Sequence, residues 1–207
     1  MTKRKDVDAE TENDFIPTVR TVTVRLKSAA PYSQSKHIVS HKKEGELDDA
    51  FEKRTWRERC HGTTDGHILI PPMQFKWSLA TAAKYMSEKI KGKQNMTWTK
   101  HFLSGVLVPN ELVLDYKVDE IFGEELFVPA NGKRGSGSRV MRTFPRIPEW
   151  EGDVTYIILD PLITPSIFEK TLVNAGQFIG IGRFRPENGG YYGRYMPTPG
   201  SYRYDSQ

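Results

Sequence analysis

Between Ala175 and Tyr195 the sequence reads AGQFIGIGRFRPENGGYYGRY. Glycines at 176, 180, 182, 189, 190 and 193 alternate with Arg183, Arg185 and Arg194 and with Phe184, Tyr191, Tyr192 and Tyr195. Glycine permits positive φ and close approach of a second backbone, arginine offers a forked set of donors to phosphate, and aromatic rings offer faces on which bases stack. Two readings follow. In one, a polyanion lies against a tight loop, with Gly180, Gly182, Arg183, Arg185 and Arg194 at its phosphates and Tyr191 or Tyr192 stacking. In the other, Gly180-Ile181-Gly182 is a helix-to-strand turn and Gly189-Gly190 a hairpin turn. Neither nucleotide-binding fingerprint fits, because no third glycine follows at the required place and no lysine follows in the manner of a P-loop.

The residues that feed this stretch have their own pattern. Asp153 to Asp160 is apolar on both faces and predicts a central strand. Thr164 before Pro165 predicts an N-cap with proline at the first helical position, and the helix carries Ile167, Phe168, Leu172 and Val173 up to a stop at Gly176. Upstream, Asn131 to Arg146 (NGKRGSGSRVMRTFPR) holds Lys133, Arg134, Arg139, Arg142 and Arg146 and not one acidic residue. Its glycines and serines predict a flexible basic loop suited to phosphate contact.

The first half is less uniform. Residues 1–14 are charged and poor in large apolar side chains, as expected of a disordered tail, with order beginning near Phe15. From Val19 to Lys27 the residues alternate, with Val22, Val24 and Leu26 on the packed face and Arg25 and Lys27 on a face that can meet a ligand. Residues 33–66 are dense in both charge signs and read as an insertion with a short helix near Leu47 to Arg59, either a solvated charged helix or a mobile arm that folds over a bound strand. The insertion also gathers His37, His41, Cys60 and His61, which are metal-capable but match no strong zinc spacing, and the paired CxxC of structural sites is missing. A strand is expected at His67 to Ile70, then a helix containing Phe75, Leu79, Ala82, Ala83 and Met86 that ends at Gly92, with Phe75 and Trp77 in the core. Phe102 to Leu114 reads as two strand segments broken at Pro109-Asn110.

The 207 residues suffice for one ordinary domain, here 15–207, and the formal charge of +4 only weakly favours an anionic partner. A single cysteine forbids an intramolecular disulfide, and no run is long and apolar enough to span a bilayer. The expectation is a soluble cytoplasmic protein that needs no cofactor and meets no membrane.

Taken in order, strand, insertion, strand, helix, strands, basic loop, strand, helix, glycine loop and strand suggest an α+β chain, a modified ferredoxin-like βαββαβ fold whose open sheet face also serves RNA-recognition modules. The C-terminal half resembles the repeat-associated mysterious protein (RAMP) superfamily, and within it the backbone subunits that coat guide RNA in CRISPR effector complexes. Arg142 to Pro145, Asp153 to Asp160, Gly180 to Pro186 and Gly189 to Tyr195 carry the resemblance, with a looser likeness at Ile70-Pro71-Pro72. It implies a nonenzymatic protein that binds single-stranded nucleic acid, RNA before DNA, and oligomerises along it or joins a ribonucleoprotein. Two alternatives stay open: a metal-dependent ribonuclease in which Asp48 or Asp49 helps hold the ion, as an aspartate does in some backbone subunits, and an assembly protein whose glycine loop packs on a neighbour. The superfamily's processing endonucleases use a histidine in catalysis, and the glycine stretch contains none.

Overall fold

The computed structural model describes residues 19–130, 132, 135 and 137–206. The expected tail, Lys133 and Arg134 lie outside them. The chain runs through β1 (Arg20–Ser28), β2 (Tyr32–Ser33), α1 (Asp48–Thr55), a 3-10 turn (Trp56–Arg59), β3 (His67–Ile70), α2 (Pro72–Met86), α3 (Thr99–Gly105), β4 (Val106–Leu107) and β5 (Leu112–Lys117). It continues through β6 (Phe122–Pro129), β7 (Arg139–Ile147), β8 (Glu151–Ile158), α4 (Pro165–Asn174), a π turn (Ala175–Ile179), a 3-10 turn (Pro186–Asn188), β9 (Tyr195–Pro197) and β10 (Arg203–Ser206).

The architecture is α+β with antiparallel sheets. The main sheet has the order β10-β1-β8-β4, and β9 pairs the other half of the β1 edge that carries β10. Alternation in β1 and β8 sends Val22, Val24, Leu26, Val154, Tyr156 and Ile158 to one face, where they are buried. There they share one core with Phe75 and Leu79 of α2 and Phe168 and Leu172 of α4. Each such side chain contributes about 1.5–3 kcal/mol by leaving water. The opposite face is polar and largely self-satisfied: Thr23 bonds Thr155 at 3.0 Å, while Arg25 meets Glu151 at 2.8 Å and Asp153 at 3.7 Å.

Several elements depart from the expected ones. The α2 helix stops at Ser87, which takes φ 50°, and not at Gly92; the Ser87 hydroxyl donates to the Lys84 carbonyl at 2.7 Å and closes the end. Phe102 to Gly105 is helical and not strand, because Phe102 is buried on α2's side as the last turn of α3. The segment expected as a basic loop is half strand: residues 139–146 belong to β7, in register with β6 from Phe122↔Arg146 to Pro129↔Arg139. Thr164 does cap α4, accepting from the Ile167 N–H with Pro165 at N1. Yet Gly176 does not end the helical run, which continues as the π turn to Gly180 at φ 72°. Gly176 is required for packing, since a Cβ there would be driven into the Tyr195 carbonyl.

The insertion is held in place. Arg59, with only 6% of its side chain exposed, pairs with Glu52 through two bonds of 2.8 and 3.1 Å and donates to the Thr143 carbonyl on β7. Glu52 also accepts from the Thr143 N–H at 2.7 Å. A buried ion pair whose carboxylate accepts three hydrogen bonds fixes register between elements even where its net stabilisation is small. Glu52 and Arg59 therefore anchor the segment on β7, while most of α1 faces solvent, as expected of a charged helix.

Candidate nucleic-acid interface

The glycine stretch is stitched into the connection between β1 and β2. Arg183 N–H donates to Ser33 O at 2.8 Å, Gly193 N–H to Pro31 O at 2.7 Å, Ile181 N–H to Gly193 O at 2.9 Å and Tyr192 N–H to Phe184 O at 3.0 Å. Gly182 sits at φ 71° beneath the ring of Tyr32 and the Ser33 carbonyl, where any side chain would collide. Gly180 caps the π turn and Gly189 caps the 3-10 turn, with no strand before β9, so neither is the expected helix-to-strand or hairpin turn; the glycines serve the backbone, and the question of a ligand passes to the side chains that this loop displays.

Arg183 is the informative one. Its guanidinium lies over the rings of Phe144 and Phe184, and its Nη1 is buried without a hydrogen-bond partner. Burial, then the nearby charges of Arg59 and Arg142, lowers its pKa from 12.5 to about 10, so it stays cationic at neutral pH. A buried guanidinium nitrogen without an acceptor is costly, as are the likewise unpartnered Trp150 Nε1 and Tyr156 hydroxyl. Arg185 has partners already: it bonds Glu187 at 3.0 Å and the Gly182 carbonyl at 3.1 Å, and it stacks on Trp77 at 4.2 Å.

Both arginines line a cleft of about 430 Å³ with Gln34, His61, Gln74 and Trp77, and among the described residues no carboxylate lines it. The sequence expectation put Trp77 in the core; it is 40% exposed and forms a wall of this cleft. Burial, then the charge of Lys36, lowers the His61 pKa, so the ring adds no positive charge at neutrality. Of the other residues expected at phosphates, Arg142 lies near enough to act electrostatically on both Arg183 and Asp48. Arg139 is on the hairpin, bonded to the Phe127 carbonyl at 2.8 Å and over its ring. Arg194 bonds the Tyr191 carbonyl at 2.8 Å beside the exposed Tyr191 ring. Tyr192 is held by Glu124 at 2.6 Å and by Phe184 edge-on. Arg25 is taken up by carboxylates, and Lys27 borders a separate cavity with Asp115, Glu149 and Glu151. The structure thus gathers Gly182, Arg183 and Arg185 and leaves Arg25, Lys27 and Arg139 apart.

The candidate metal residues do not converge. Asp48 and Asp49 open α1, with Asp48 94% exposed and paired to Lys42 at 2.6 Å. His37 and His41 are exposed, Cys60 is buried, and burial pushes its thiol pKa up to about 12. Among the described residues, no group of three or more His, Cys, Asp or Glu side chains is placed to hold an ion. Sequence reasoning missed Gln34 and Gln74, which carry no motif, and the pair His101 Nδ1 to Asp160 Oδ2 at 2.6 Å, which joins residues 59 apart.

No protein-family model matches the sequence, and no curated protein matches it. Among solved structures, a chain of the Type III-B Cmr-beta complex bound to cognate target RNA is similar over 91% of this chain, with a TM-score of 0.50 and 12% identity. The present chain spans 61% of that chain's length. Cmr6 from Pyrococcus furiosus is similar over 87% of this chain and 99% of its own, at TM-score 0.43 and 11% identity. A chain of a CRISPR RNA-guided surveillance complex follows over 87% and 66%, at 0.35 and 7%. At such identities the likeness is one of fold, carried by the first of the three. No helix among the described residues is long and apolar enough to cross a membrane.

Proposed function

We propose that this chain is a nonenzymatic subunit that binds single-stranded nucleic acid, RNA before DNA, and works as several copies along the strand or within a ribonucleoprotein. The observation that carries this reading is Arg183, a cation with no carboxylate partner among the described residues, in the wall of a cleft that no described carboxylate lines. A phosphate suits such a cation. We read 15–207 as one domain of modified ferredoxin-like form, with β1, α2, β4, β8, α4 and the β9–β10 edge as its βαββαβ series and residues 33–66 as an insertion. The sheet order β10-β1-β8-β4 supports that reading. The fold shared with a chain from a complex bound to target RNA supports the choice of ligand.

Fluorescence anisotropy of the full chain with labelled oligoribonucleotide and oligodeoxyribonucleotide, across a series of salt concentrations, tests it. The reading predicts binding of a mixed-sequence single strand with a negative salt slope, and tighter binding of RNA. Absence of binding to either strand at low salt contradicts it.

A further inference from the structure

The cleft beside Arg183 carries more than an anion seat. A chain of hydrogen bonds fixes which way its amides point. Gln34 Nε2 donates to the Leu69 carbonyl at 2.8 Å, and Gln34 Oε1 accepts from the His61 backbone N–H at 2.6 Å, so two main-chain groups set the orientation of that amide. The same Nε2 donates to the Tyr32 hydroxyl at 3.0 Å. With one lone pair so occupied, Tyr32 donates its own proton onward to Gln74 Oε1 at 2.9 Å. Gln74 is thereby turned so that its carbonyl faces the protein and its Nε2 donors are free for whatever occupies the cleft it lines. Tyr32 is wholly buried and its pKa is raised far above 10 by burial, so the hydroxyl keeps its proton and the relay keeps its direction.

The cleft therefore offers a cation at Arg183, an oriented amide donor at Gln74, and apolar surface on Met73 and Trp77. At about 430 Å³ it falls within the ~300–1,000 Å³ of small-ligand sites, too small for a folded partner and large enough for a base with its sugar. Every nucleobase presents a ring-nitrogen or carbonyl acceptor to an amide donor, so the seat admits any base. We infer that one nucleotide of the bound strand enters this cleft, its phosphate on Arg183 and its base edge on Gln74 against Met73 and Trp77. The inference rests on the nucleic-acid reading above and deepens it: the protein holds a base as well as a backbone.

The test compares nucleoside 5′-monophosphates with ribose 5-phosphate on the full chain, by ligand-observed NMR and by the shift of the Trp77 indole resonance, assigned with W77F. The expected result is at least tenfold tighter binding of the monophosphates than of ribose 5-phosphate. R183M is expected to weaken both by tenfold or more. Q74M is expected to weaken the monophosphates by tenfold or more and ribose 5-phosphate by less. An unlabelled single-stranded octaribonucleotide should displace the monophosphate. The wild-type comparison needs no variant to fold, and melting of both variants reports whether they do. Equal binding of monophosphate and ribose 5-phosphate, or no binding of any monophosphate, overturns the base seat while leaving strand binding to be judged by its own salt series. A monophosphate that the octamer cannot displace overturns the assignment to a strand, and points to a free nucleotide as the occupant.

Discussion

The guanidinium of Arg183 lies over the ring of Phe144, a residue of β7, and leaves its Nη1 buried with nothing to bond. Aromatic faces hold the cation in place but give Nη1 no hydrogen-bond acceptor of the ordinary kind. Phe144 is at once the surface beneath Arg183 and the surface beneath Arg59, 4.9 Å away, so two cations share one ring. Arg59 has its carboxylate in Glu52; Arg183 has none.

That asymmetry makes Arg59 structural. Replacing it with methionine strips Glu52 of its counter-charge in a largely buried place, and R59M is expected to lose about 3–5 kcal/mol of stability. The paired variant R59M/E52Q should recover a large part of the loss. Chemical denaturation of R59M, E52Q and the double variant measures it, and additive losses in the double variant would show that the two side chains do not act as a unit.

Gly182 is expected to matter for folding before it matters for binding. At φ 71°, under the Tyr32 ring and the Ser33 carbonyl, an added methyl meets both strain and a collision. G182A should therefore destabilise the protein by about 2–4 kcal/mol. A thermal melt within a degree of the parent would mean that the loop can shift away from β2.

The insertion has its own acid sensitivity. Glu46 accepts from Arg54 at 2.8 and 2.9 Å and from the Lys43 N–H at 2.9 Å, which holds its pKa down from 4.5 to about 2. A depressed carboxylate stabilises the fold above its unfolded pKa and loses that contribution as pH falls through the folded one. Amide protection factors across residues 43–54, with intrinsic rates divided out, are thus expected to fall between about pH 4.5 and pH 2, and E46Q should remove that fall while lowering protection at neutrality.

Much of this was legible in the residues themselves. The alternation of Val22, Val24 and Leu26 marked β1 and its buried face, and Thr164-Pro165 marked the start of α4, because both signals are local. The α4 helix ends at Asn174, close to the expected stop, but the π turn that follows was not foreseen, because the reason for Gly176 is not local: it makes room for the Tyr195 carbonyl, a contact that no spacing rule contains. The hairpin β6–β7 was half hidden by its own composition, since arginines in β7 read as loop until cross-strand partners such as Phe127↔Met141 are known. At the site, Arg183 and Arg185 were visible as a pair, but their inequality was not. Only the fold places Glu187 and the Gly182 carbonyl on Arg185 and leaves Arg183 unpaired. Gln74 carried no sequence signal at all, as its role depends on an orientation passed from two main-chain groups through Gln34 and Tyr32.

The most direct measurement is the salt dependence of single-stranded RNA binding by the parent and by R183M, a variant that keeps an apolar stem against Phe144 and Phe184 and removes only the charge. Loss of one phosphate contact should weaken binding across all sequences and reduce the slope of log K against log salt by about 0.7, with the melting temperature unchanged or raised because a buried charge has been removed. An R183M protein that binds RNA with the parent's affinity and the parent's slope would contradict the account, since the buried guanidinium would then have no phosphate to answer it.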